Sequence, residues 1–343
     1  MGNEKFQNSL KQIPQSTPPI WFMRQAGRYH HHYQNLRKQH SFDELCKIPS
    51  LASEVALGPI LDFDYDVAIL FSDILYPLEA LGFGLNYTEQ GPRLGFHLND
   101  ETKQKLRPLN EAHEFLKFQA EAVSQTRAKL PKDKSLIGFV GGLWTLFVYA
   151  CEGGHAGSLI ETKKSLRHWP HFSELMFNLH SETIRSQLAA GAEVVNIFDT
   201  AAGEVSPLFF KKWIAPDLKR LALLFPHKIG YYSKGTQSSF FDSEWLSLPW
   251  AGMGYDHRWN LPKTLSENSH SGFFQGNFDQ SLLHSTPAEF REHLKMYLNE
   301  FAELDNESLK GWVSGLGHGV LPKTPEANVH LFIEEVRKWG AQR

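Results

Sequence analysis

The sequence predicts a single-domain α/β fold, a (β/α)8 TIM barrel, on three observations. Short apolar runs alternate with longer amphipathic segments along the whole chain. Eight such runs can be counted, and polar side chains cluster directly after them, where a barrel gathers its chemistry. No short-period repeat and no Gly/Ser- or Pro-rich linker divides the 343 residues, a length one barrel fills. A doubly wound sheet is the alternative, since any parallel sheet has polar residues where its strands end.

The runs are Pro19–Met23, Val67–Ser72, Leu136–Val140, Glu193–Phe198, His227–Tyr232, Trp250–Tyr255, Gly272–Gln275 and Gly311–Gly315. Residues 1–16 are polar at their start and carry no apolar core, so they read as a flexible tail before a catalytic domain spanning 17–343, and not as a secretory signal. Helix starts are marked by Ser41-Phe-Asp-Glu44 and Thr286-Pro-Ala-Glu289, where hydroxyl and carboxylate can satisfy exposed N–H groups reciprocally. In the last helix Thr324 is expected to cap, Pro325 to open the first turn and Gly340 to end it, with Val329, Phe332, Ile333 and Val336 as one apolar stripe. The uncharged stretch Ser135–Cys151 only reaches the roughly 17 residues a membrane span needs. Gly138, Gly141 and Gly142 break it, so it reads as a buried strand entering a loop, and no membrane partner is expected.

Composition narrows the function. Lys and Arg total 35 against 38 Asp and Glu, a net charge of −3, which leaves no overall attraction for nucleic acid or an anionic membrane. Any anion site must be local. Two cysteines, Cys46 and Cys151, exclude a disulfide scaffold or a four-thiolate zinc site and point to a reducing cytoplasm. His30-His31-His32 reads as exposed, because adjacent side chains diverge and no matching ligands are spaced for a metal. Asp62, Asp64 and Asp66 read as a solvated edge, lacking the Gly and distal Glu of a calcium loop.

The side chains after the runs are Arg24, Asp73, Asp199 with Thr200, Lys234, Asp256 with His257 and Arg258, Asn277, and His318. Arg24 and Arg28 flank Gly27 in Met23-Arg-Gln-Ala-Gly-Arg-Tyr29, and two guanidinium forks at a strand exit suit carboxylates. Asp73 sits among apolar residues in Val67-Ala-Ile-Leu-Phe71-Ser-Asp-Ile-Leu75, where a carboxylate is costly unless Arg24 or a ligand's N–H groups pair with it; capping the next helix is its plainer role. His318 lies between Gly317 and Gly319, which let a ligand approach a group able to move protons or supply a cation. Tyr149 and Thr200 would add a phenol and a hydroxyl.

Together these motifs, with Gly138-Phe-Val-Gly, Trp144-Thr-Leu, Glu152-Gly-Gly, Gln275-Gly-Asn-Phe-Asp279 and Leu316-Gly-His-Gly-Val320, resemble the uroporphyrinogen decarboxylase family from about Pro18 to the final helix. The resemblance implies a homodimeric barrel without a cofactor or metal. It also implies release of four carbon dioxide molecules from uroporphyrinogen III, an octacarboxylate tetrapyrrole, giving coproporphyrinogen III. Position by position, it implies that Arg24, Arg28 and Arg37 hold substrate carboxylates and that Asp73 grips the pyrrole N–H groups. It further implies that Gln25, Ala26, Gly27, Phe71, Tyr149, Phe198, Thr200 and His318 line the substrate, with Asp73, Arg24, Tyr149 and His318 catalytic. Arg24 is the preferred acid over His318, although a guanidinium releases a proton reluctantly. The chain departs from the family pattern at His30–His32, Gly142-Leu143, Asp199–Ala202 and Gly254–Trp259, which leaves every expected catalytic group in place. Two rivals are a zinc-dependent methyltransferase, which needs Cys and His ligands at strand ends, and a tetrapyrrole-binding protein that does no chemistry.

Overall fold

The structure, a computed structural model, describes residues 2–88, 90–154 and 157–343. Seven parallel strands form one curled sheet: β1 (Val67–Ile69), β4 (Ser135–Gly141), β5 (Val194–Asp199), β6 (Ile229–Ser233), β7 (Gly252–Gly254), β8 (Phe273–Phe278) and β9 (Trp312–Leu316), in that spatial order. All seven are buried throughout, as strands covered on both faces must be. Their order never reverses, which removes the doubly wound alternative, whose order turns back at a switch point.

The expected strand Pro19–Met23 is reduced to a bridge at Ile20, but it does a strand's work. Trp21 N–H donates to Ser314 O on β9, Ser314 N–H donates to Pro19 O, and Asp66 N–H, just before β1, donates to Ile20 O. The segment therefore lies between the first and last strands and closes the single-domain barrel. Pro18 and Pro19 have no N–H to extend the ladder, and Arg24 at φ 61° turns the chain away. The small antiparallel hairpin of β2 (Asn86–Thr88) and β3 (Gly91–Arg93) had no counterpart in the sequence reading.

The expected frayed end is not found. Residues 4–10 form a helix capped by Asn3, and Phe6 is fully buried against Phe273. Asn3 N–H donates to Ser135 Oγ, and Ser9 Oγ donates to Trp312 O. Ser135, Phe273 and Trp312 are the first residues of β4, β8 and β9, so this helix seals the face opposite the strands' C-terminal ends. Asp66, expected on a solvated edge, is buried there and accepts from Asn3 Nδ2, Lys5 and the Ile20 N–H.

Both capping boxes form, at Ser41 and Thr286. The last helix begins one residue later than expected, at Glu326, with Pro325 as cap, because the Thr324 hydroxyl donates to Leu321 O. Gly340 lies inside that helix; a Cβ there would come within 2.5 Å of Thr17, so it permits close packing and does not end the helix. No helix among the described residues is long and apolar enough to cross a membrane.

Candidate active site

The N-terminal arginine motif and the C-terminal Gly-His-Gly motif meet at the C-terminal ends of the strands. Val320 N–H donates to Met23 O, and a Cβ on Gly319 would fall 2.5 Å from Arg24 Cδ. Gly319 thus gives the guanidinium stem its path, and the positive φ of Arg24 aims that stem out of the strand direction. Arg24 itself is solvent-exposed, a cation delivered to an open cleft.

Asp73 follows β1 and is partly accessible from this cleft, yet it is closely surrounded by protein. Burial pushes its carboxyl above the ordinary carboxylate range, while the Leu75 N–H, the Tyr87 hydroxyl and Arg24 pull it back. The Leu75 N–H bond, 2.8 Å to Oδ1, is the local turn contact that the plainer reading of Asp73 anticipated. Tyr87 comes from the hairpin. Its hydroxyl is buried and near Asp73, but makes no hydrogen bond of ordinary length, and its ring packs edge-on to Phe42 and Tyr76.

Tyr149 projects from the helix Leu143–Glu152 that follows β4. Burial raises its hydroxyl, Asp73 raises it further, and Arg24 opposes both, so the three share one electrostatic neighbourhood. Across the cleft, the Tyr232 hydroxyl at the end of β6 donates to Gly317 O at 2.8 Å and lies 2.9 Å from His318 Nδ1. Burial raises that phenol, as does Asp256, while Arg24 and Arg258 pull it down. Sequence reasoning missed Tyr232 and Tyr87; the strand-end position of Tyr232 was the one available sign.

Arg28 and Arg37 lie further out, both exposed. Each draws down the neighbouring Tyr33 hydroxyl, which burial otherwise raises, and Tyr33 packs on Phe71, two residues before Asp73. Arg37, the last residue of its helix, also donates to His40 O in the turn that follows. Ala26 packs into the small apolar cluster of Tyr33, Leu45 and Val55 with Phe71. Phe198, at the end of β5, packs tilted against Phe139 and edge-on to Tyr232, and Thr200 two residues on is half-buried.

Three expectations change. Gln25 does not offer its side chain to the cleft: it is buried, with Nε2 donating to Val67 O and Oε1 accepting from Phe22 N–H. His30 is not exposed but buried, 2.7 Å from Asp62 and packed on Phe63, because helix 49–63 supplies both partners; His31 alone of the three is fully exposed. Asp199 turns into the core, where Thr145 N–H and Oγ1 and the Tyr231 hydroxyl donate to it.

Both cysteines are buried. Burial pushes the Cys46 thiol well up and the Cys151 thiol to about 12. Among the described residues no group of three His, Cys, Asp or Glu is arranged to hold a metal ion.

Residues 1–339 match the family model for uroporphyrinogen decarboxylase. Among curated proteins, the uroporphyrinogen decarboxylases of Chlorobium limicola and Koribacter versatilis are 32% and 31% identical, covering 100% and 99% of this chain and 99% and 97% of their own. A methyltransferase from Methanosarcina mazei superposes with a TM-score of 0.74 at 16% identity, each chain covered to 98%. A B12-independent methionine synthase from a Shewanella species gives 0.54 at 11%, covering 96% of this chain and 98% of its own. The two structural likenesses speak to the barrel alone.

Proposed function

The chain belongs to the uroporphyrinogen decarboxylase family, and from that premise we propose that it removes the four acetate carboxyls of uroporphyrinogen III, giving coproporphyrinogen III, with Asp73 as the central anion. The observation that carries this reading is a carboxylate held above its ordinary range at a cleft lined by Arg24, Tyr149, Tyr232 and His318.

A pyrrole can act as its own electron sink. Protonation of a ring carbon creates a cation conjugated with the acetate; the bond from the methylene to the carboxylate carbon breaks and its electron pair neutralises the ring. The methylene then takes a proton and the ring carbon loses one, so each acetate and one net proton become a methyl group and carbon dioxide. The protein must stabilise the cationic ring. Asp73 accepts from the pyrrole N–H groups and offsets the developing charge, most strongly where little water screens it. The cost that burial imposes on its ionised form is relieved when those donors and that charge arrive.

Arg24 delivers the first proton beside Asp73, and Tyr149 donates a hydrogen bond within the same neighbourhood. Tyr232 fixes the Nδ1 edge of His318, orienting its other nitrogen toward the substrate's rim. Arg28 and Arg37 anchor outer carboxylates, while Phe71, Phe198, Ala26, Gly27 and Thr200 line the macrocycle; Gln25 braces the loop from within, its side chain on Val67 O and its carbonyl accepting from the Tyr29 hydroxyl. The family resemblance alone supports cytoplasmic residence and a homodimer, for which gel filtration should return twice the chain mass. Cys46 and Cys151, both buried with their thiols pushed up by that burial, give a thiolate-zinc methyltransferase no support.

Anaerobic incubation with uroporphyrinogen, followed by oxidation and separation of porphyrins by carboxylate number, should yield seven- through four-carboxylate products. Unchanged octacarboxylate would leave only a binding protein. His318→Asn should retain most turnover; its complete loss would move the proton from Arg24 to His318.

A further inference from the structure

A second cavity lies in the outer helical layer, sharing no residue with the cleft. It encloses about 390 Å3, at the small end of the roughly 300–1,000 Å3 typical of ligand sites. Its apolar lining is Leu98, Leu106 and Phe172, and its polar lining is Lys103, Arg167, His168 and His171. Asp100 pairs with both permanent cations of this lining, Arg167 at 2.8 Å and Lys103 at 3.5 Å. One carboxylate cannot neutralise both guanidinium and ammonium, so positive charge remains.

Two further features favour an anion at this cavity. His168 is only 7% exposed, and its Nε2, 3.6 Å from Asp100, makes no hydrogen bond; a buried donor or acceptor left this way is costly without a ligand. His168 also stands at the N-terminus of the 21-residue helix Trp169–Ala189, where no side chain caps the first turn, and the helix dipole favours an anion there.

We propose that this cavity binds an amphipathic organic carboxylate. The head group sits against Arg167, Lys103 and His168 Nε2, and the body, one ring or a short chain, lies on Leu98, Leu106 and Phe172. The volume is too small for an octacarboxylate macrocycle, so the occupant differs from the substrate of the barrel cleft.

Octanoate is the probe, titrated into the full chain while the ring C–H signals of His168 and His171 are followed by NMR, assigned with His168→Asn and His171→Asn. Saturable shifts of both signals are expected. Acetate, which has the head without the body, and octanol, which has the body without the head, should each bind at least about tenfold more weakly. Lys103→Gln with Arg167→Gln, at side chains 49% and 61% exposed, should leave the circular dichroism unchanged and weaken octanoate at least about tenfold. The proposal is overturned by the absence of a shift at about 10 mM octanoate, by acetate matching octanoate, or by the double variant keeping its affinity.

Discussion

The two ends of the barrel treat charge in opposite ways. At the N-terminal face, Asp66 is buried but receives Asn3, Lys5 and the Ile20 N–H, while Phe6 fills the space beside them. At the C-terminal face, Asp73 is surrounded by protein yet has one backbone N–H within 3 Å, and Arg24 extends into solvent. A satisfied buried carboxylate is an ordinary structural part. A carboxylate with its partners still to come holds free energy that a ligand can release. The bottom is therefore where substitutions should cost stability, and the top where they should cost turnover.

The sharpest way to break this contrast is Asp73→Asn. Turnover should fall about 10²–10³-fold, the usual effect of removing one electrostatic stabiliser. Burial raises this carboxyl in the folded chain, so its ionised form costs stability above its folded pKa and the cost disappears below the unfolded value. The variant should consequently melt at the same temperature as the parent at neutral pH, or higher. Near-normal turnover would end the electrostatic assignment. The mirror test is Phe6→Ala, expected to lose about 3 kcal/mol through cavity formation. Its melting temperature should drop by several degrees with kcat unchanged; if calorimetry found no drop, residues 4–10 would be the loose tail their polarity first indicated.

What could be read in advance follows the range of the interaction involved. Seven strands, both capping boxes and the strand-end positions of Arg24, Asp73 and His318 were legible because each is encoded within a few neighbouring residues. His30 and Asp66 were misread as solvated because their cover comes from distant segments: helix 49–63 for one, residues 3–20 for the other. The N-terminal helix looked polar because only Phe6 and Ser9 of its seven residues are buried. Tyr87 was invisible for a different reason, since a three-residue hairpin strand carries too little periodicity to be recognised.

Arg24→Lys sharpens the top of the barrel next. The charge stays but the fork is lost, and a charge-assisted bond of about 1.5–3 kcal/mol predicts kcat/KM reduced roughly 10–100-fold. Gly319→Ala should move activity the same way by less, because its methyl would displace the Arg24 stem without removing it. If Arg24→Lys behaved like the parent while Gly319→Ala did not, the glycine would matter for the backbone and not for the arginine. Added salt should raise KM in the parent, since exposed guanidinium groups are screened over about 8–10 Å at ordinary ionic strength.

The smallest effect tests the subtlest part of the contrast, the Tyr87 hydroxyl that holds Asp73 down. Asp73 acts as the anion, so the acid limb of kcat/KM reports its ionisation in the free enzyme. Tyr87→Phe keeps the ring against Phe42 and Tyr76 but removes the dipole that lowers the carboxyl. The Asp73 pKa should rise further and the acid limb should move to higher pH. On the alkaline side of that limb Asp73 is ionised in both proteins, so kcat should change by less than about twofold. A limb that stayed in place would mean the hairpin merely packs over the cleft, and one that moved to lower pH would mean the hydroxyl opposes the carboxylate it faces.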